Sequence, residues 1–167
     1  MTDWLSRVSE ERSLLNPAFC GTLLWRAARG HQADSSPPSG MAFETAFLIL
    51  PIILHRQMRE ALPRTVATSL PAWLTTLPLA RSQIATRARL LVPFTKEALA
   101  FGGLHGLLTF SKGTVFAAEH WAPKVSPFLK ESSEEVQECG NRADLLGRWF
   151  ARAGSAETVM SILGIQP

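Results

Sequence analysis

The sequence predicts a mainly α-helical protein: a multi-helix domain with a winged-helix-like core and one small β-hairpin. Three observations predict it. Apolar residues recur at helical spacing through most of the chain, and capping residues with prolines and glycines punctuate those stretches. One pair of short β-prone runs, Leu107 to Phe110 and Thr114 to Ala118, brackets Ser111-Lys112-Gly113, with glycine where a G1-type bulge needs it. Helix, turn, helix and hairpin thus follow one another between Thr68 and Glu119, the order in which winged-helix modules are built.

At the N-terminus, residues 1–15 read as an arm around Trp4, Leu5 and Val8, with weak helical spacing. The first strong helix opens at the N-cap Asn16 with Pro17 in its first turn, carries Phe19, Leu23 and Ala27, and should stop near Gly30. Residues 31–40, rich in Ser and Pro, read as a flexible loop. Met41 to Leu54 is almost wholly apolar. Its length of 14 residues favours a buried helix kinked near Pro51 over a strand. Arg56 to Leu62 adds a polar turn closed by Pro63, and Thr68 or Ser69 caps a short helix bearing Leu70, Trp73, Leu74 and Leu77 that Pro78 ends.

From Leu79, the positions Ile84, Ala88 and Leu91 predict a helix that Pro93 terminates, and Thr95 opens another. The second carries the stripe Phe94, Ala98, Phe101, His105 and Leu108, weakened at Gly102 and Gly103 in a way that implies close approach by another backbone or side chain. Residues 132–167 form the C-terminal helices. Ser132 and Glu135 fit a capping box; Val136, Cys139, Ala143, Leu146, Phe150 and Ala153 make one apolar seam, flanked by the i,i+4 pairs Glu138–Arg142 and Asp144–Arg148. Ser155 caps a last helix that Gly164 closes.

A hydrophobic content of 46% in 167 residues, with 19% charged, belongs to a globular chain able to bury a core. The net charge of +3 is too small to imply nucleic acid, but its distribution is uneven. Between Arg56 and Lys112, eight basic residues oppose Glu60 and Glu97 alone, whereas Glu131, Glu134, Glu135, Glu138 and Asp144 face only Arg142. Two faces that attract one another account for this as well as a dedicated partner surface does. Cys20 and Cys139 suit buried thiols of a cytoplasmic protein, with a single disulfide as the alternative. Met1 to Arg12 lacks the apolar core of a secretory signal, and Ala46 to Leu54 is too short to span a bilayer, so no membrane role is expected.

The signatures of nucleotide, dinucleotide and zinc-protease sites do not occur, and His31, His55, His105 and His120 are scattered without metal-ligand spacing. No catalytic, cofactor-binding or metal-binding residue is therefore nominated. His105, on an apolar stripe, reads as a core histidine. The candidate partner or DNA contacts are Arg87, Arg89, Lys96 and Lys112, whose charges suit phosphates or a protein partner, and Trp149, either core or the anchor of an interface. Arg81, Arg87 and Arg89 spread around their helix, which is poor for reading bases. An enzyme with an unrecognised site would need His55, His105 or His120 beside Glu44, Glu97 or Glu119.

Several short motifs fall in a familiar order: Asn16-Pro17-Ala18-Phe19-Cys20, Leu24-Trp25-Arg26, Phe47 to His55, Thr68-Ser69-Leu70 and Arg87-Ala88-Arg89. Val92-Pro93-Phe94-Thr95, His105-Gly106-Leu107-Leu108, Leu146 to Phe150 and Ile162-Leu163-Gly164 continue it. In these, along nearly its whole length, the chain resembles the middle component of bacterial three-component ABC systems. That resemblance implies a non-catalytic adaptor, without cofactor, linking an SMC-like ABC ATPase to an effector in conflict with phages or other foreign DNA. Nucleic acid would then be reached through the complex. The competing expectation is a small winged-helix DNA-binding regulator.

Overall fold

The computed structural model describes residues 15–165; the expected N-terminal arm around Trp4 lies outside them. Eight α-helices and three short strands make up the described fold, so the mainly helical class holds. Helix α1 (Pro17–Asp34) begins as its sequence requires, Asn16 Oδ1 accepting from Ala18 N at 2.8 Å. It does not stop at Gly30. A Cβ there would collide with the Asp144 carbonyl, so this glycine serves a helix crossing rather than a C-cap, and the loop begins only at Ser35.

The apolar run after the loop starts as strand β1 (Met41–Ala42) and becomes helix α2 (Phe43–Ile53), which keeps Pro51 inside it. Helix α3 (Arg56–Glu60) and helix α4 (Leu70–Thr76) follow, the latter capped by Ser69 and ended before Pro78 as expected. Helix α5 (Ala80–Leu104) corrects the sequence reading, because Pro93 does not divide it: the expected pair of helices is one rod of 25 residues. The physical reason lies in the facing of Pro93. It sits on the exposed side, where water can take the Arg89 carbonyl that loses its partner, while Thr95, expected to cap a new helix, is wholly buried inside this one.

Strands β2 (Leu108–Ser111) and β3 (Thr114–Ala117) form the predicted hairpin. Its turn is tighter than expected. Ser111 pairs with Thr114, leaving Lys112 (φ 48°) and Gly113 (φ 76°) as a two-residue loop of the type I′ kind instead of a three-residue loop with a bulge. Strand β1 adds to the far side of β3, with Met41 opposite Val115 and Ala42 opposite Thr114, giving an antiparallel sheet of order β1-β3-β2. The close approach implied by Gly102 is real: a Cβ at Gly102 would stand 2.7 Å from Leu108 Cδ1.

A 3₁₀ turn (Glu119–Trp121) leads into helix α6 (Ala122–Glu131), whose Pro123 and Pro127 hide it from a propensity reading. Helix α7 (Glu134–Ala153) is capped by Ser133, one residue beyond the expected Ser132, which instead ends α6. Helix α8 (Ala156–Leu163) closes with Gly164 in the left-handed conformation, as its sequence predicts.

The core gathers around α1, which packs on α7 and α5, with α2 filling the space between. Cys139, Ala143, Leu146 and Phe150 of the predicted α7 seam are all buried against it. The i,i+4 ion pairs expected on that helix do not form, since tertiary partners win each charge. Asp144 meets Arg26 at 3.7 Å, Arg148 meets Asp34 at 3.2 Å, Glu138 meets Arg59 at 3.5 Å, and Arg142 donates to the Pro63 carbonyl at 3.1 Å.

Candidate partner-binding surface

Three of the five nominated residues lie on α5. Arg89 and Lys96 are seven positions apart, hence on one face, and both are exposed; Arg87 lies half-buried on another side of the helix. Its charge, after burial, helps hold the nearby His55 imidazole below its ordinary pKa, with Arg59 adding to the effect. Lys112 is exposed at the tip of the β2–β3 turn. The structure thus places Arg89 and Lys96 on a shared face and leaves Arg87 and Lys112 apart from it.

Trp149 belongs to the core. It is 2% exposed, its Nε1 donates to the Thr68 carbonyl at 2.6 Å, and its ring meets Trp73 edge-on with centroids 5.3 Å apart. Of the two readings weighed for this residue, burial fits the structure. Trp25 is likewise buried, donating to the Ala118 carbonyl at 3.0 Å. His105 departs from the core role expected of it. It is exposed at the C-cap of α5, its ring 4.2 Å from that of Phe101.

Between α2, α5 and the end of α8 runs an apolar cleft of about 500 Å³, floored by Phe47, Leu48, Ala88, Val92 and Met160. Glu44 and Arg89 are the charged residues of its lining, and Phe43 joins it to the sheet through edge contacts with Phe47 at 5.5 Å and Phe110 at 6.5 Å. Sequence reasoning found Arg89 and missed the aromatics. The only available signal was the spacing of Phe43 and Phe47, one turn apart on the outer side of a run read as wholly buried.

Among the described residues, no three His, Cys, Asp or Glu side chains gather as a metal site, and Glu119 is engaged by Arg29 at 3.2 Å. No described helix is long and apolar enough to cross a membrane. What the geometry offers is surface: a long helix with an exposed basic side, an adjoining apolar cleft, and a hairpin carrying Lys112 at its tip.

These features define a small helical protein that presents shaped surfaces from a compact core. A family model described as "ABC-three component (ABC-3C) system Middle Component 3" matches residues 4–167, and the chain belongs to that family. No curated protein and no solved structure matches it.

Proposed function

We propose that this chain is a non-catalytic adaptor that links the ABC ATPase of its system, of the SMC-like kind, to an effector. The observation that carries the reading is the family membership itself, which covers nearly the whole chain and makes it the middle of three components. A middle component with one compact core and several outward faces is suited to holding two others at once. The winged-helix-like reading of the region from Thr68 to Glu119 belongs to this proposal and rests on the order α4, α5 and β2–β3 hairpin, with β1 from outside the region completing the sheet; the helix break expected at Pro93, just before the hairpin, is absent. Defence against phages or other foreign DNA is the biological role we infer for the system, on the resemblance that the motifs carry.

The test is co-purification of the tagged full-length chain with the other two components at high salt. Recovery of the ATPase and the effector together supports bridging. Recovery of neither, from cells in which all three are produced, would sink it. A phage challenge of cells lacking only this chain then checks the role, with loss of protection as the expected result.

A second reading, a DNA-binding regulator, has one observation in its favour. Arg89 and Lys96 share an exposed face, and Lys112 stands on the hairpin as a wing-tip residue would. It predicts duplex binding that weakens steeply with salt and with Arg89→Glu.

A further inference from the structure

The cleft between α2, α5 and the end of α8 is polarised. Its floor is apolar, with a volume of about 500 Å³, and Phe43, 39% exposed, is among its lining residues. On the side of α5 that lines it, Arg81, Ala85, Ala88, Arg89, Val92 and Lys96 fall within an arc of about 100°. Arg81, Arg89 and Lys96 are exposed, and no acid lies on that arc. The other two helices bring the opposite sign. Glu44 is the one charged residue of α2 and Glu157 that of α8, where it precedes the cleft residue Met160 by one turn; both are exposed.

An occupant must match this pattern with an apolar ridge, an acidic edge and a basic edge. Nucleic acid does not, since Glu44 and Glu157 would face its phosphates. A second copy of this chain does not either, because cleft laid on cleft sets two hollows face to face and fills neither. An extended strand would bring unpaired backbone N–H and C=O groups to walls made of helices, whose own backbone is largely spent in internal hydrogen bonds. A helix arrives with its backbone already satisfied.

We propose that this cleft seats an amphipathic helix of another component of the system, carrying an apolar ridge with acidic residues along one edge and basic residues along the other. The inference rests on the adaptor reading and names the chemistry of one partner. Burial of the ridge against Phe43, Phe47, Val92 and Met160 supplies the affinity. The charges set the direction. Arg81, Arg89 and Lys96 take the acidic edge while Glu44 and Glu157 take the basic one; turning the helix end for end exchanges its edges, so one direction alone pairs opposite signs.

The experiment uses the full chain and three synthetic helical peptides of about 21 residues that share one leucine ridge. The first has glutamate on one edge and lysine on the other, the second glutamate on both, the third lysine on both. The mixed peptide is expected to bind roughly tenfold or more tighter than either of the others. Glu44→Lys should move the preference to the all-glutamate peptide, and Arg89→Glu with Lys96→Glu to the all-lysine peptide. Because these side chains are exposed, the circular dichroism should stay unchanged and the variants test docking rather than folding. Phe43→Ser should weaken all three peptides. Equal binding of the three, none up to about 1 mM, or binding that neither the charge variants nor Phe43→Ser alter overturns the proposal. So does concentration-dependent dimerisation that Arg89→Glu abolishes, which would make a second copy the occupant. Peptide binding that appears only with Trp4→Ser and Val8→Ser also overturns it, by making the chain's own N-terminus the occupant. Co-purification of the variants with the other components separates the two levels. Full recovery with Phe43→Ser and Arg89→Glu combined overturns this docking site and leaves the adaptor reading standing, whereas no recovery with the unaltered chain removes the adaptor reading while the peptides still report on the cleft.

Discussion

Arg59 on α3 donates to Glu135 on α7 across 3.1 Å, joining residues 76 positions apart. The arginine is 2% exposed, and its other terminal nitrogen donates to the Ile53 carbonyl at 2.8 Å, so a full charge is held inside the fold between a backbone acceptor and two carboxylates, Glu135 and Glu138. Here the basic middle and the acidic C-terminal part of the chain meet. The mutual attraction of two faces, weighed in the sequence against a partner surface, thus accounts for at least these three charges.

The two carboxylates are 64% and 38% exposed and would stay solvated if the arginine were lost, whereas the Ile53 carbonyl would lose a buried partner. Arg59→Met is therefore expected to cost about 1–3 kcal/mol, and Glu135→Gln less than about 1 kcal/mol. Urea unfolding of both variants checks this. Equal effects would mean that the exposed ion pair, and not the buried backbone contact, holds α3 in place.

Where α1 crosses α7, a Cβ at Gly147 would enter the space of the Ala27 carbonyl, and the same holds at Gly30 for the Asp144 carbonyl. Helix propensity favours Ala over Gly by about 1 kcal/mol in mid-helix, so propensity alone makes Gly147→Ala stabilising. Packing reverses the sign. The colliding atoms are backbone and cannot yield without moving a helix, and a loss of about 2–3 kcal/mol is expected. Gly103→Ala is the control, because its Cβ would meet only the ring edge of Phe110 at 3.0 Å, a side chain free to turn. A thermal melt in which Gly147→Ala matches or exceeds the unaltered protein would refute the crossing as described.

Local chemistry was legible in the sequence and tertiary choices were not. Asn16, Ser69, Ser155 and Gly164 act at the positions their types foretell, because capping depends on neighbours within one turn. Pro93 misled because its effect depends on which side of the helix it faces, and Gly30 because a glycine that admits another helix looks in sequence like one that ends its own. Strand β1 spans two residues and owes its pairing to β3, so nothing within Met41-Ala42 marks it. On the surface, Arg89 and Lys96 were found by charge.

Acid should weaken the fold in two steps. Burial holds the His31 imidazole below its ordinary pKa, against a smaller raising contribution from its contact with Ser39; His55 is lowered by burial and then by Arg87 and Arg59, and its Nδ1 accepts from Met58 N at 3.3 Å as the cap of α3. Both protonate more readily in the unfolded chain, so the stability they contribute is complete above about pH 6.5 and declines below it. Asp34 acts lower. Burial pushes its carboxyl up, but the hydrogen bonds and charges of Arg152 and Arg148 outweigh that and leave it below its ordinary value. Its stabilisation is present above about pH 4 and is lost as pH falls through the depressed folded value. Urea midpoints measured from pH 8 to pH 3 should show both declines, with Asp34→Asn removing only the lower one. A midpoint that rises between pH 7 and pH 5 would contradict the histidine assignment.

Neither cysteine is in a disulfide, and both are buried. Burial, with Glu97 adding to it, pushes the Cys20 thiol up to about 12; burial also raises Cys139, where the nearby Arg59 works in the opposite direction. Since the thiolate is the reacting form, at pH 8 only about one Cys20 in ten thousand is ionised, and that fraction is shut inside the α1 core. Reaction with a thiol-specific disulfide reagent should therefore be slow in the native protein, and complete for both residues within minutes in urea. Its native rate should follow unfolding, so Gly147→Ala accelerates labelling of Cys20 in proportion to the stability it removes. Rapid native labelling at Cys20 would mean that α1 opens from α5 and α7 without global unfolding. Rapid labelling confined to Cys139 would localise the opening to the side of α7 near Arg59.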